Sequence, residues 1–404
     1  MKKKILALVL AIALVASLCI GLAACNDDER VVDLKAIAKD DIKIGFIALH
    51  DESSTYDKNF LDAMEATRVK LELREDQVVY KKNKAENEAC YNAAVELVEE
   101  GCNIIFADSF GHEDYIKRAA YEYPNVRFCH ATGVKAASSD YGNFYNAFAS
   151  IYEGRYLAGV VAGMKLKAMK EADSNVASKI GYVGAFPYEE VKSGYTSFYL
   201  GVKSIVEDVT MEVSFTNSWY DPNKEKEHAN KLIDRGAVII SQHADSMGAP
   251  EACESYKKTP NSPVTPVPNV SYNGSTKESC PNSYLISSKI DWAPYFEYVI
   301  ECAMNNTKID YDWTGTLATG SVKLTEYGNV IAEGTEAKVA EVYAALRAGT
   351  LNVFDCNNFK VKGKKIESFK VNGVEVVENG VFKESKVRCA PYFGFDIDGI
   401  EILK

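Results

Sequence analysis

The sequence is short of the residues that make metal and redox sites. Five histidines are scattered through 404 residues, and none of the ten cysteines stands in a CxxC pair. That argues against zinc, and no metal site or cofactor is expected. There is no HExxH, no Walker A loop and no GxSxG elbow, so the usual signatures of metalloprotease, nucleotide hydrolase and serine hydrolase are missing. Nor do clustered aspartates follow the first strand, as a calcium-dependent nucleoside hydrolase would need. Positive charge is also scarce: 46 Lys and Arg face 57 Asp and Glu, a formal charge of -11. Phosphate binding wants a basic face, so nucleic acid is excluded as a partner.

Only one long apolar run is present, and it lies at the start. Lys2, Lys3 and Lys4 precede an apolar stretch from Ile5 to Ile20. It is too short for a membrane span, which needs about 20 apolar residues, and it reads as a signal-peptide core. Leu22-Ala23-Ala24-Cys25 resembles a bacterial lipobox. Residues 1–24 are thus expected to be a signal peptide, Cys25 the lipidated N-terminus, and 25–42 a charged tether. Two acyl chains would hold the chain at a membrane surface. Without the three leader lysines the charge falls to -14.

Eight cysteines remain beyond Cys25. Cys90, Cys129 and Cys302 lie in apolar patterns and read as buried thiols. Cys253 with Cys280, or Cys356 with Cys389, could pair after export; the sequence leaves this open.

The chain repeats itself. Lys43-Ile44-Gly45-Phe46-Ile47 returns as Lys179-Ile180-Gly181-Tyr182-Val183. A helical stripe of Ala89, Cys90, Ala93, Ala94, Leu97 and Val98 ends at Gly101, and a stripe of Ala229, Leu232 and Ile233 ends at Gly236. Each glycine falls where a helix C-cap belongs. Strand-like runs follow, at Ile104–Ala107 and Val238–Ser241, and then Pro124–Phe128 echoes Pro268–Tyr272. Alternating strands and helices predict an α/β chain of two lobes with parallel sheets. The expected division is 43–149 plus about 285–320 for the first lobe and 150–284 plus about 321–350 for the second. Short apolar–polar alternation after residue 350, at Phe369, Val371, Val374 and Val376, predicts a β-rich extension over 351–404 packing on the lobes.

In such sheets ligands bind beyond the carboxyl ends of the strands. That rule selects the loops 51–57, 108–110 and 130–132 in the first lobe and 186–190, 217–221, 243–246 and 272–273 in the second, and within them Tyr56, Asp57, Asp108, Phe110, Phe186, Glu190, Trp219, Asp245 and Asn273 as candidates. Aromatic faces can stack on a flat heterocycle or a sugar, and carboxylates accept from ligand NH or OH groups. Asp108 and Asp245 could equally cap the helices that follow them, and His243 could be a contact or a structural residue. No basic loop or glycine-rich helix start is present to hold a phosphate.

Several stretches together are similar to one family: His130-Ala131-Thr132-Gly133, Tyr152-Glu153-Gly154-Arg155-Tyr156-Leu157-Ala158-Gly159, Thr216-Asn217-Ser218-Trp219, Gln242-His243-Ala244-Asp245-Ser246 and Trp292-Ala293-Pro294-Tyr295. They resemble the basic membrane protein family, substrate-binding lipoproteins of ABC transporters related to the purine nucleoside receptor. The likeness runs from about Lys43 to Gly328. It implies the type I periplasmic-binding-protein fold, with two Rossmann-like lobes around a three-strand hinge, and a purine nucleoside or base as ligand. It implies that Phe110 stacks on the base, that Trp219 and Asp245 contact the ligand, and that Trp292 sits at the hinge side. Two stretches depart from it: Ser53-Ser54-Thr55-Tyr56 replaces a Gly-Trp-Thr-Tyr segment, and Ser271-Tyr272-Asn273 replaces Gly-Tyr-His. The resulting expectation is a monomeric, lipid-anchored, non-enzymatic receptor that hands its ligand to an ABC permease at the bacterial cell envelope. The alternatives are a receptor for a sugar, a surface adhesin, or a hydrolase acting on the same nucleosides.

Overall fold

The structure is a computed structural model and describes Val32 and residues 34–404. The leader, Cys25 and the first part of the expected tether lie outside the described residues.

Five short strands of apolar and β-branched residues open the chain: β1 (Ile44–Ile47), β2 (Val78–Lys81), β3 (Ile104–Ala107), β4 (Arg127–Ala131) and β5 (Phe144–Ala149). With β11 (Asp312–Gly315) they form a parallel sheet in the order β11-β5-β4-β3-β1-β2. Every residue of β1, β3, β4 and β5 is buried, as strands covered on both faces must be. Helices α1 (Thr55–Lys70), α2 (Glu88–Glu99) and α3 (Glu113–Glu122) connect them.

The second lobe repeats the plan. Strands β6 (Lys179–Gly184), β7 (Thr210–Phe215), β8 (Ile240–His243), β9 (Asn269–Tyr272) and β10 (Tyr284–Ile290) line up with β12 (Val322–Leu324) in the order β12-β10-β9-β8-β6-β7. This is the order of the first lobe, so the sequence repeat is a structural repeat. Both capping glycines are left-handed, Gly101 at φ 88° and Gly236 at φ 98°. Each N–H bonds back into the last helical turn, to Val98 and Ile233 respectively.

Two long helices cover the second sheet, α4 (Ile151–Ala172) and α5 (Glu189–Lys203). They touch backbone to backbone at a pair of glycines. A Cβ on Gly159 would stand 2.2 Å from the Phe198 carbonyl, and one on Gly201 would stand 2.1 Å from that of Tyr156. Helices α6 (Pro222–Asp234) and α7 (Gly248–Glu254) follow in the same lobe. Helix α8 (Ala293–Asn305) packs on α1 of the first lobe, and α9 (Thr335–Arg347) packs on α4.

Three connections pass between the sheets: β5 to α4, β10 to α8, and β11 to β12. One expected boundary moves. The crossover near residue 285 lies after Ile290 instead, because β10 pairs with β9 and β12 and so belongs to the second sheet. The C-terminal region forms two hairpins, β13 (Lys370–Val371) with β14 (Val374–Glu375) and β15 (Val377–Glu378) with β16 (Val381–Phe382). Its last strand, β17 (Ile400–Ile402), adds to the edge of the second sheet beside β7. The eight described cysteines are all buried and unpaired, so neither Cys253 with Cys280 nor Cys356 with Cys389 is a disulfide. Among the described residues no helix is long and apolar enough to cross a membrane.

Candidate functional site

The carboxyl ends of the two sheets face each other across a narrow cavity that both lobes line. The first lobe lines it with Leu49, Tyr56, Ser109, Phe110 and Thr132; the second with Glu190, Trp219, His243, Asp245 and Tyr272. The lobes are closed on each other. Thr55, in the first turn of α1, donates its backbone N–H (2.9 Å) and its hydroxyl (3.2 Å) to the Asp245 carbonyl. The rings of His50 and Tyr220 lie 5.1 Å apart across the cleft, and those of Phe110 and Tyr188 lie 5.9 Å apart.

Five of the ten residues expected from sequence line this space: Tyr56, Phe110, Glu190, Trp219 and Asp245. The other five stand behind or beside it. Asp57 is buried at the start of α1, where its carboxylate accepts from the His50 N–H at 2.8 Å and meets the His50 ring at 3.3 Å. Asp108 accepts the Leu49 N–H on its carboxylate and the Tyr56 hydroxyl on its carbonyl, at 3.1 and 2.6 Å. It therefore positions two lining residues and does not line the cavity itself. Phe186 stacks on Tyr188 and meets Trp219 edge-on, both with centroids 5.1 Å apart. Asn273 is buried with φ 60°, and its N–H bonds the Ser288 carbonyl. Trp292 is buried and stacks on Phe60 at 4.3 Å, while Phe60 meets Tyr56 edge-on at 5.0 Å. It is core to the first lobe and shapes the site only through Phe60 and Tyr56.

Among the residues that sequence reasoning did not single out, Leu49 carries no chemical signal, being one more aliphatic side chain at a strand end. Ser109, Thr132, His243 and Tyr272 also line the cavity, and all four lie in the strand-end loops that the sequence selects.

Burial sets the charge state of the site. It pushes Asp108 well above the usual carboxyl range, helped by the neighbouring Asp57. It also acts to raise Asp57, but the hydrogen bonds from His50 and Ser54 outweigh it and hold that carboxyl below its ordinary value. The neighbouring environments push the two acids apart, Asp108 toward its neutral form and Asp57 toward its charged one. Asp245 is also pushed well above the carboxyl range, first by burial and then by the charges of Asp57, Glu225 and Glu190. Burial lowers His243 to about 4, so its ring is neutral, with Nε2 at 3.3 Å from Glu190.

No Lys or Arg is among the lining residues. The nearby cation is Arg155, which lies behind the wall. It is buried, stacks 3.4 Å from the centroid of the Tyr272 ring and donates to the Gln242 carbonyl at 2.7 Å. The arrangement can grip a flat, neutral, polar molecule between aromatic faces and take its donor groups on carboxyl oxygens. Among the described residues no group of three His, Cys, Asp or Glu side chains could hold a metal ion.

Two similar α/β lobes closed on a small-molecule cavity define a substrate-binding receptor of the periplasmic-binding-protein fold. The chain belongs to the Bmp family, described as ABC transporter substrate-binding protein PnrA-like, which matches residues 44–345. A purine-binding protein of Brucella abortus is 31% identical over 334 residues, covering 79% of this chain and 85% of that protein. A Haloferax volcanii protein named for glucose binding in an ABC transporter is 30% identical over 279 residues, covering 68% of this chain and 65% of that protein. An ABC-transporter solute-binding protein of Conexibacter woesei superposes with a TM-score of 0.61 at 20% identity, covering 77% of this chain and 98% of its own. That likeness establishes the fold.

Proposed function

We propose that this protein captures a purine nucleoside or purine base between its lobes and delivers it to an ABC permease. In this reading Cys25 carries a lipid that holds the protein at the outer face of the cytoplasmic membrane or in the periplasm, and the protein performs no chemistry on its ligand. The observation that carries it is the cavity wall: Tyr56 and Phe110 from one lobe and Trp219 and Asp245 from the other converge on one space with no lining cation. Flat aromatic faces opposite a carboxyl suit a planar base bearing NH groups, and the missing cation disfavours a phosphate. Contacts from both lobes make the ligand favour the closed state, since only differential contacts shift such a balance. The purine-binding relative supports the choice of ligand.

The test is a thermal shift of the purified protein, first stripped of co-purified ligand by unfolding and refolding. Purine bases, nucleosides and sugars are each added. A ligand at a hundredfold excess over its dissociation constant stabilises the fold by about 2.7 kcal/mol. A shift with one purine class supports the proposal, and none with any purine overturns it. A sugar ligand is the second reading, favoured by the glucose-named relative and by aromatic faces that also pack on sugar rings; a shift with sugars alone would select it.

A further inference from the structure

A second compartment adjoins the inner cavity, and Phe110, Thr132 and Glu190 line both. The outer compartment holds about 1040 Å³ of space, part of it open to solvent. Its walls are mostly apolar. Seven large hydrophobic residues are exposed among the described residues, and three of them, Phe110 (42%), Val134 (36%) and Tyr188 (46%), stand on this one compartment. Such clustering of exposed apolar surface marks a binding site.

The far wall comes from the C-terminal region, past the family-matched segment: Arg388, Ala390 and Pro391 line it. This wall is fixed from both lobes. The Arg388 guanidinium bonds Glu189 at the start of α5 at 2.6 Å and the Pro391 carbonyl at 3.1 Å. The Cys389 N–H bonds the Asp312 carboxylate of β11, in the other lobe, at 2.8 Å. The wall is thus built and held rather than a loose tail. Its lone cation is already paired, and Glu189 and Glu190 leave the compartment acidic.

From this we infer that the ligand is a purine nucleoside carrying a second flat or apolar group, uncharged or cationic, and that the group lies between Phe110, Tyr188, Val134 and Pro391. The inference rests on the purine reading above. Phosphate substituents do not fit, because Arg388 and Glu189 neutralise each other and Glu190 adds a negative charge.

Calorimetric titration tests it with adenosine, N6-benzyladenosine and 5′-deoxy-5′-(benzylthio)adenosine, on the wild-type protein and on Val134→Trp. Val134 lines the outer compartment and not the inner one. One benzylated compound, which also reports whether base or ribose points outward, is expected to bind at least about tenfold tighter than adenosine, the gain from burying one such group. Val134→Trp should abolish that gain and leave adenosine affinity unchanged. Adenosine binding with no gain from either benzyl group would overturn the inference and leave the purine reading standing, as would a Val134→Trp loss shared equally by all three compounds. No binding by any of them would overturn both.

Discussion

Thr55 and Asp245 join the lobes through one carbonyl. Both donors of Thr55 converge on the Asp245 backbone oxygen, while the Asp245 side chain faces the cavity. One residue therefore takes part in the latch and in the ligand wall, so a ligand that orders Asp245 also favours closure. Removing the hydroxyl with Thr55→Ala should weaken ligand binding by about 1 kcal/mol, roughly fivefold, without changing the melting temperature of the empty protein. Calorimetry on the two proteins checks this; an equal dissociation constant would assign the latch to the backbone N–H alone.

Trp219 and Phe110 form opposite walls, one from each lobe, and neither is needed for the core. Phe110 is 42% exposed and Trp219 is partly buried against Phe186. Trp219→Ala and Phe110→Ala should each keep the fold and lose about 1–3 kcal/mol of binding, some ten- to hundredfold. Circular dichroism and titration separate the two effects. Unchanged affinity in both variants would end the stacking account.

The lobes were readable because each opens with the same buried run and closes its second helix on the same glycine, Gly101 and Gly236. The cleft was readable because parallel sheets expose their carboxyl ends there. Which loop side chains reach the ligand was not, since that depends on neighbours far away in sequence. Asp57 has the same side chain as Asp245, but His50 and Ser54 hold it in the first turn of α1. Trp292 shares its chemistry with Trp219, but Phe60 covers it. Likewise β17 pairs with β7 nearly two hundred residues earlier, a partnership with no local signature. That same long-range folding brings Arg388 and Pro391 to the cleft.

Trp292 distinguishes support from contact. It is 1% exposed and stacked on Phe60, so Trp292→Ala should destabilise the fold by about 3–5 kcal/mol. Thermal melts of the ligand-free protein would register it. A variant that melts like wild type yet loses binding would return Trp292 to the ligand wall.

Glu384 ties the C-terminal region to the second lobe and carries a pH signature. It is 2% exposed, with Ser193 and the backbone of Tyr392 and Phe393 around it, and burial pushes it up to about 8. Below about 4.5 the carboxyl is protonated in both folded and unfolded chains. Between there and 8 the unfolded chain releases its proton while the folded one keeps it, so folding weakens as pH rises, by up to about 1.4 kcal/mol per pH unit. Glu384→Gln is neutral throughout and escapes this loss. The variant should therefore gain over wild type between pH 5 and pH 8, most at pH 8, in urea melts read at both values. An advantage equal at the two pH values would mean that Glu384 is already ionised in the folded protein at pH 5. The dipoles of the Ser193 hydroxyl and of the Tyr392 and Phe393 backbone would then outweigh burial and set its charge.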